Sequence, residues 1–327
     1  MATVEEAELC YPQLLNSSCR KIMRPHSVSM LIYITLSSIS VVTVVLNLLV
    51  IISLCHFKKL HTPTNLLLLS LAVSDFFVGF LIIFQIMLID GCWFFSDLMC
   101  VVYFVLDYII TSASIGTMVF ISVDRYVAIC DPLLYPIKVT QSRAKFCVLL
   151  CWMSCALCHC LFLKDNMQKP GRYNTCFGEC VVIVNNAAGL ADVSLSFIGP
   201  VTVIVVLYVR VFVVAVSQAR AMRAHVTAVT IQGSTKVTAR KSELKAARTL
   251  GVVVIVFLLC ICPYFCVTLK GDTISASSAA FVMCLFYVNS CINPVIYAFF
   301  YPWFRKSMRL IVTLQILKSD SRDTNIM

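Results

Sequence analysis

Seven uninterrupted apolar runs constrain this chain more than any other feature of its sequence. They cover roughly residues 28–55, 63–90, 98–130, 144–163, 186–217, 244–269 and 276–299. A helix rising ~1.5 Å per residue crosses the ~30 Å hydrocarbon core of a bilayer in about 20 residues. Runs of this length, continuous rather than alternating, predict spanning helices and give no β-barrel signal. The composition agrees, with 60% hydrophobic and 13% charged residues and a mean hydropathy of +0.91. Soluble domains sit near ~45–50% apolar. The expected fold is an all-α membrane protein, a seven-transmembrane helix bundle across 28–299.

The formal charge is +10, and its placement gives the bundle a direction. If the loop after span one is inside, nineteen of the 26 Lys and Arg lie on the inner side and seven on the outer. The positive-inside rule then predicts an outside N-terminal tail (1–27) and an inside C-terminal segment (300–327). The sequon Asn16-Ser17-Ser18 fits glycosylation of an outside tail. The first residues, MATVEEAELC, lack the basic region of a cleaved signal peptide, so span one is expected to act as signal anchor. The inner basic excess suits an anionic leaflet and a cytoplasmic partner, and nothing points to nucleic acid. After span seven, Pro302 opens a stretch in which Phe304, Met308, Leu310, Ile311 and Leu314 alternate with Arg305, Lys306 and Arg309. That pattern predicts a short amphipathic helix on the inner leaflet.

Charges inside the apolar runs carry the functional argument. Asp107 and Arg125 are 18 residues apart in span three, about five turns, so they share one face about 27 Å apart with Thr111, Ser114 and Met118 between them. An ionisable residue in a membrane helix costs ~2.5–3.5 kcal/mol on the mild insertion scale and needs a partner in the bundle interior. The segment offers Asp107 no cation, so it is a candidate to bind one; the plain alternative is a carboxylate satisfied by hydroxyls and water. Asp192 in span five lies at comparable depth, with Ser194 and Ser196 after it and Pro200 eight residues on. Two carboxylates without a basic residue between them repel unless water or cations screen them, and a dication would serve both. Asp192 can also be a solvated residue at the outer interface. Deeper, Asn47, Asp75, Ser114, Asn289, Ser290 and Asn293 can form one polar cluster. It suits water or a hard monovalent cation such as sodium near Asp75, or serves as hydrogen-bonded glue between helices. Glu243 enters span six at the inner edge and can pair breakably with Arg125, or sit exposed at the helix start.

Cys10, Cys19, Cys92, Cys100, Cys176 and Cys180 lie near the outer side and are expected to be oxidised. The remaining cysteines read as small hydrophobes, and His159 in span four as a packed polar residue. No nucleophile–base set or metal-ligand spacing is present, so the chain is not expected to be an enzyme. Without internal repeats it does not read as a transporter either.

Asp124-Arg125-Tyr126 ends span three, and Asn293-Pro294-Val295-Ile296-Tyr297 lies in span seven. Asn47, the LAVSD around Asp75, Trp152, Pro200 and Pro263 fall one per span. Together these resemble the rhodopsin-like G-protein-coupled receptors over essentially the whole chain. Asp107 matches the amine-anchoring aspartate of aminergic receptors. NSCINPVIYAFFYPWF (289–304), the tail CYPQLLNSSC and the Cys176/Cys180 pair resemble the trace amine-associated receptors. The resemblance implies bridges Cys100–Cys180 and Cys19–Cys176, an amine ligand, and a heterotrimeric G protein of the stimulatory type signalling to cAMP. It also implies a plasma-membrane receptor serving olfaction, in olfactory sensory neuron cilia. The Asp107/Asp192 pair resembles fish members thought to detect diamines such as cadaverine.

On that resemblance Asp107 and Asp192 would each take one ammonium by a charge-assisted hydrogen bond. Tyr287 would hold the Asp107 carboxylate, and Tyr264, Phe265 and Phe286 would face the cation and the methylene chain. Ser194 or Ser196 bonding a ring hydroxyl is the competing use of span five, a monoamine reading in which Asp192 is a bystander. One departure bears on activation. Ile261 stands where the family has Trp, two residues before Pro263, while Phe257 below it is retained. A weakly signalling receptor is the corresponding alternative. Leu46 also replaces the usual glycine before Asn47.

Overall fold

A computed structural model of the chain describes residues 8–228, 234–270, 276–318 and 321–324, with the side chains of 219–248, 250, 268, 270 and 276–280 outside the described set. The principal helices are α1 (His26–His56), α2 (Pro63–Asp90), α3 (Asp97–Cys130) and α4 (Gln141–Phe162). Helix α5 runs Asn186–Val193, widens into a π turn at Ser194–Ile198, and continues Gly199–Ala228. Then come α6 (Ser234–Lys270), α7 (Ala276–Phe300) and α8 (Pro302–Val312). Among the described residues the only β pairing is two isolated bridges, Leu9 with Arg20 and Ser18 with Phe177.

Local chemistry sets the ends. Thr62, Ser96, Thr140 and Asn185 cap α2, α3, α4 and α5, each side chain accepting the N–H three residues on. Gly91 ends α2 at φ 75°, the left-handed conformation that a Cβ disfavours. The π turn precedes Pro200. Proline has no N–H to return to the helix, and the wider turn re-registers the backbone around that gap.

α3 is the central helix, packing against α2, α4, α5 and α6, while α7 closes the ring against α6, α1 and α2. Two contacts depend on missing side chains. A Cβ on Gly79 would lie 2.7 Å from Val44 Cγ2, and one on Gly116 would lie 2.5 Å from Cys151 Sγ. One apolar core (Ile82, Trp93, Tyr103, Tyr287) fills the half of the bundle nearer the N-terminus. Another (Leu71, Ile121, Phe257, Tyr297, Phe304) fills the opposite half. The outer faces are apolar as well, with Leu149, Met153 and Leu157 on α4 and Val206 and Phe212 on α5 exposed. Such a belt is suited to lipid. Among the described residues, six helices are long and apolar enough to cross a membrane, and Gly251–Val267 of α6 is a shorter apolar stretch.

α8 turns Trp303, Phe304 and Ser307 inward and leaves Arg305, Lys306 and Arg309 exposed. Arg305 Nη1 donates to the carbonyls of Ala298 and Phe299 at 2.9 Å each, satisfying the open end of α7. Leu314, expected on the apolar face, falls beyond the helix in a left-handed conformation and is exposed.

Candidate functional site

A cavity of about 470 Å³ opens in the half of the bundle nearer the N-terminus. Asp107 and Thr111 enter it from α3, Asp192 and Ser196 from α5, Tyr264 and Phe265 from α6, and Phe286 and Tyr287 from α7. These eight residues named from the sequence thus share one chamber, whereas Ser194, the alternative to Ser196 on span five, does not line it. Asp107 Oδ1 is buried without any hydrogen-bond partner. A buried charged oxygen in that state is unfavourable unless a cation or water satisfies it. The facing wall is aromatic: Tyr264 lies 4.8 Å from Phe286 and 5.3 Å from Phe265 between centroids, and Phe265 stacks on Phe197 at 4.1 Å. Ring faces of this kind attract cations and accept methylene surface.

One expected contact is different. Tyr287, read as holding the Asp107 carboxylate, donates its hydroxyl to Gln85 Oε1 at 3.3 Å. Tyr103 donates to the same oxygen at 2.8 Å. Gln85 on α2 thus captures the phenol and leaves the Asp107 oxygen open.

Asp192 has neighbours that the sequence did not reveal. Ser196 Oγ donates to Asp192 Oδ1 at 2.9 Å, Ser112 Oγ to Ser196 Oγ at 3.1 Å, and Ser112 Oγ meets His159 Nε2 at 2.8 Å. His159 Nδ1 lies 3.7 Å from Asp192 Oδ1, and the imidazole stacks on Tyr108 with centroids 5.6 Å apart. The sequence reads as having no basic residue between the two carboxylates; the structure adds His159 beside Asp192. No sequence spacing could reveal it, because the partners sit on separate helices.

Toward mid-bundle, Asn293 Nδ2 donates to Asp75 Oδ2 at 2.9 Å. Asn47 Nδ2 donates to the Ser290 and Thr43 carbonyls at 3.0 Å each. Asp75 Oδ1, Asn47 Oδ1, Asn289 Oδ1 and Asn293 Oδ1 are buried without partners; Ser290 lies beside Asp75, and Ser114 is buried on α3. Buried acceptor oxygens left without a donor fit a hard monovalent cation or water. The grouping of Cys19, Cys176 and Glu179 does not fit a metal, because both cysteines are spent in a disulfide.

At the opposite end Arg125 folds back on its neighbour. Its Nε donates to Asp124 Oδ2 at 2.9 Å, and Nη2 reaches both Asp124 and Thr64 Oγ1. Thr64 Oγ1 donates to the same carboxylate oxygen at 3.0 Å, and Tyr135 donates to Asp124 Oδ1 at 2.9 Å. Burial and the Asp124 carboxylate push the Tyr135 phenol above its ordinary pKa, so it stays protonated and keeps donating. The Glu243 side chain, the expected partner of Arg125, lies outside the described residues. Tyr126 packs against Ile129 and Val211, Pro294 lies within α7, and Tyr297 is buried with an unpartnered hydroxyl. Ile261 is buried in the inner core with Phe257 and Phe265, below the cavity wall.

Three disulfides cover the N-terminal end: Cys19–Cys176, Cys100–Cys180 and Cys10–Cys92, with Cα separations of 5.1, 5.7 and 5.4 Å. The first two are the pairs the resemblance implies. The third is new, although six cysteines on that side with two pairs assigned leave only Cys10 and Cys92. Tyr11 O–H donates to the Trp93 carbonyl at 3.1 Å beside them, and Asn16 of the sequon is exposed.

A ring of seven helices, a bipolar cavity under a disulfide cap, and an Arg-Asp lock at the far end define a seven-helix membrane receptor. The family model for 7 transmembrane receptors of the rhodopsin family matches residues 46–297. Trace amine-associated receptor 13c of Danio rerio is 37% identical over 98% of this chain and 97% of its own length. Trace amine-associated receptor 8a of Rattus norvegicus is 37% identical (96% and 95%), and receptor 1 of Mus musculus 36% (96% and 97%). The chain belongs to the trace amine-associated receptors of the rhodopsin family. Such a receptor is not an enzyme; its partners are a small ligand, a G protein and the bilayer it crosses.

Proposed function

We propose that the chain is an olfactory-type receptor for a linear diamine, oriented with its N-terminus outside the plasma membrane and signalling through a stimulatory G protein to cAMP. The observation that carries this is that Asp107 and Asp192 line one cavity with an aromatic wall, the Asp107 oxygen being unpartnered. One ammonium on each carboxylate satisfies both charges, while the methylene chain lies against Tyr264, Phe265 and Phe286. A ligand of about seven heavy atoms at ~1.5 kcal/mol per atom reaches at most about −10 kcal/mol, so micromolar potency is expected. Binding is read as loosening the Arg125–Asp124 arrangement and moving the inner end of α6 to admit the G protein, with Glu243 as a second anchor of Arg125. The orphaned oxygens around Asp75 support a sodium ion there, and exposed Asn16 supports a glycan. Olfactory cilia are the expected location.

A second reading rests on the His159–Asp192 contact: with Asp192 already partnered, a monoamine on Asp107 alone suffices. Agonist-driven cAMP in cultured cells separates the two. Linear diamines of increasing length and matched monoamines are compared on the wild type, Asp107→Asn and Asp192→Asn. Diamine selectivity lost in both variants supports the two-carboxylate site; equal potency of monoamines, sensitive only to Asp107→Asn, overturns it. Silence at the cell surface that Ile261→Trp relieves would locate the fault at the position below the cavity.

A further inference from the structure

We propose that His159 is a specificity-determining residue of the Asp192 subsite, a protein-borne cation that competes with the ligand's second ammonium. The inference rests on the diamine reading and adds a residue to it.

Counting protons along the network fixes its polarity. An ionised carboxylate only accepts, so Ser196 spends its single hydroxyl proton on Asp192 Oδ1 at 2.9 Å. Ser112 must then be the donor to Ser196 at 3.1 Å, which spends its proton in turn. The 2.8 Å contact between Ser112 Oγ and His159 Nε2 therefore has the imidazole as donor. With Nε2 protonated, a neutral imidazole turns the Nδ1 lone pair toward Asp192 Oδ1 at 3.7 Å, too far for a hydrogen bond and lone pair against anion. A proton on Nδ1 converts that contact into an ion pair.

Asp192 can thus be neutralised in two ways. An ammonium from the cavity reaches the carboxylate, or a proton on His159 does so from the α4 side. Two cations against one carboxylate repel each other, so protonation of His159 weakens diamine binding and leaves a monoamine on Asp107 untouched. The titratable groups around the imidazole are Tyr108 on α3, Asp192 on α5, and Cys155, Cys158 and Cys160 along α4; the other ring and apolar walls are Phe162, Leu163 and Val184. Asp107 is shared by both ligand types, so a ratio of potencies cancels its titration.

The sign follows from linkage. Acidification loads His159, and a ligand that must displace that proton loses potency by up to tenfold per pH unit below the imidazole value. The loss therefore grows as the medium is acidified and vanishes when position 159 cannot ionise.

The test measures cAMP in cells carrying the full-length receptor, in media buffered at pH 7.5 and 5.5, with 1,5-diaminopentane and 1-aminopentane. Both probes stay cationic throughout. Wild type should show the diamine-to-monoamine EC50 ratio rising on acidification, by at most tenfold per pH unit. His159→Gln, which keeps an N–H for Ser112 and cannot ionise, should show a flat ratio; where the monoamine is silent, the diamine curve of this variant is the reference. A flat wild-type ratio overturns the proposal, as does a rise that persists in His159→Gln; the wild-type profile decides even if the variant fails to reach the surface. If Asp192→Asn leaves diamine potency intact at pH 7.5, or no amine activates a surface-expressed receptor, the diamine reading falls and this proposal with it. A flat ratio combined with an impaired Asp192→Asn sinks the role of His159 alone.

Discussion

Replacing Gln85 with Leu should destabilise the receptor by an amount set by two phenols. Gln85 Oε1 accepts from Tyr103 at 2.8 Å and Tyr287 at 3.3 Å, and all three side chains are buried. Leucine fills the same space and accepts nothing. The two hydroxyls can then bond only to each other, which satisfies one donor and leaves the second orphaned. An unsatisfied buried donor costs about 1–3 kcal/mol. For a chain of this size about 1 kcal/mol moves Tm by roughly 2 °C, so the expected fall is about 2–6 °C. Thermal melting of detergent-solubilised receptor by intrinsic fluorescence measures it. Tyr103→Phe and Tyr287→Phe added to Gln85→Leu remove both donors and should recover most of the loss, because replacing all partners by apolar groups is close to neutral. If Gln85→Leu melts no lower than the triple variant, the shared acceptor is not what holds the phenols.

Two further outcomes follow from contacts described above. Gly116→Ala places a methyl 2.5 Å from Cys151 Sγ and should reduce surface expression, and Cys151→Ala should restore it; expression unchanged by Gly116→Ala refutes the close crossing of α3 and α4. Thr64→Val removes the hydroxyl shared by Asp124 and Arg125 and costs the closed arrangement about 1–2 kcal/mol, so basal cAMP should rise by about fivefold or more. An unchanged basal level means the Arg125 lock does not restrain the resting receptor.

Helices are legible in this sequence because a bilayer leaves the backbone no alternative: each N–H and C=O must be paired within its own segment. Asp107 stands out for the same reason, as a charge where water is absent. Residues on one helix, such as Asp107 and Thr111, follow from the helical period. What spacing does not encode is which side chains meet across helices. His159 and Asp192 are far apart in sequence, as are Gln85 and Tyr287, and no periodicity links them. Depth in the bundle points Tyr287 at Asp107, but depth does not say which neighbour wins a hydroxyl. Cys10–Cys92 was within reach by elimination, since an even set of oxidised cysteines leaves no thiol over. The side chain of Glu243, the partner expected for Arg125 from the sequence, lies outside the described residues, and the partners Arg125 shows are Asp124 and Thr64.

The disulfides divide the bundle mechanically. Cys92 and Cys100 moor α2 and α3, through the tail and the 176–180 loop, to a single knot at one end. No bridge among the described residues touches α6, which carries Pro263 within a helix of 37 residues. From Tyr264 at the cavity wall to Ser234 is 30 residues, a lever of about 45 Å at ~1.5 Å per residue. A pivot of about 6° at the proline, too slight to disturb the knot, sweeps the far tip of that lever through about 5 Å. Tying one end of the bundle covalently therefore leaves the amplitude of any rearrangement to the untied helix, on the side away from the ligand.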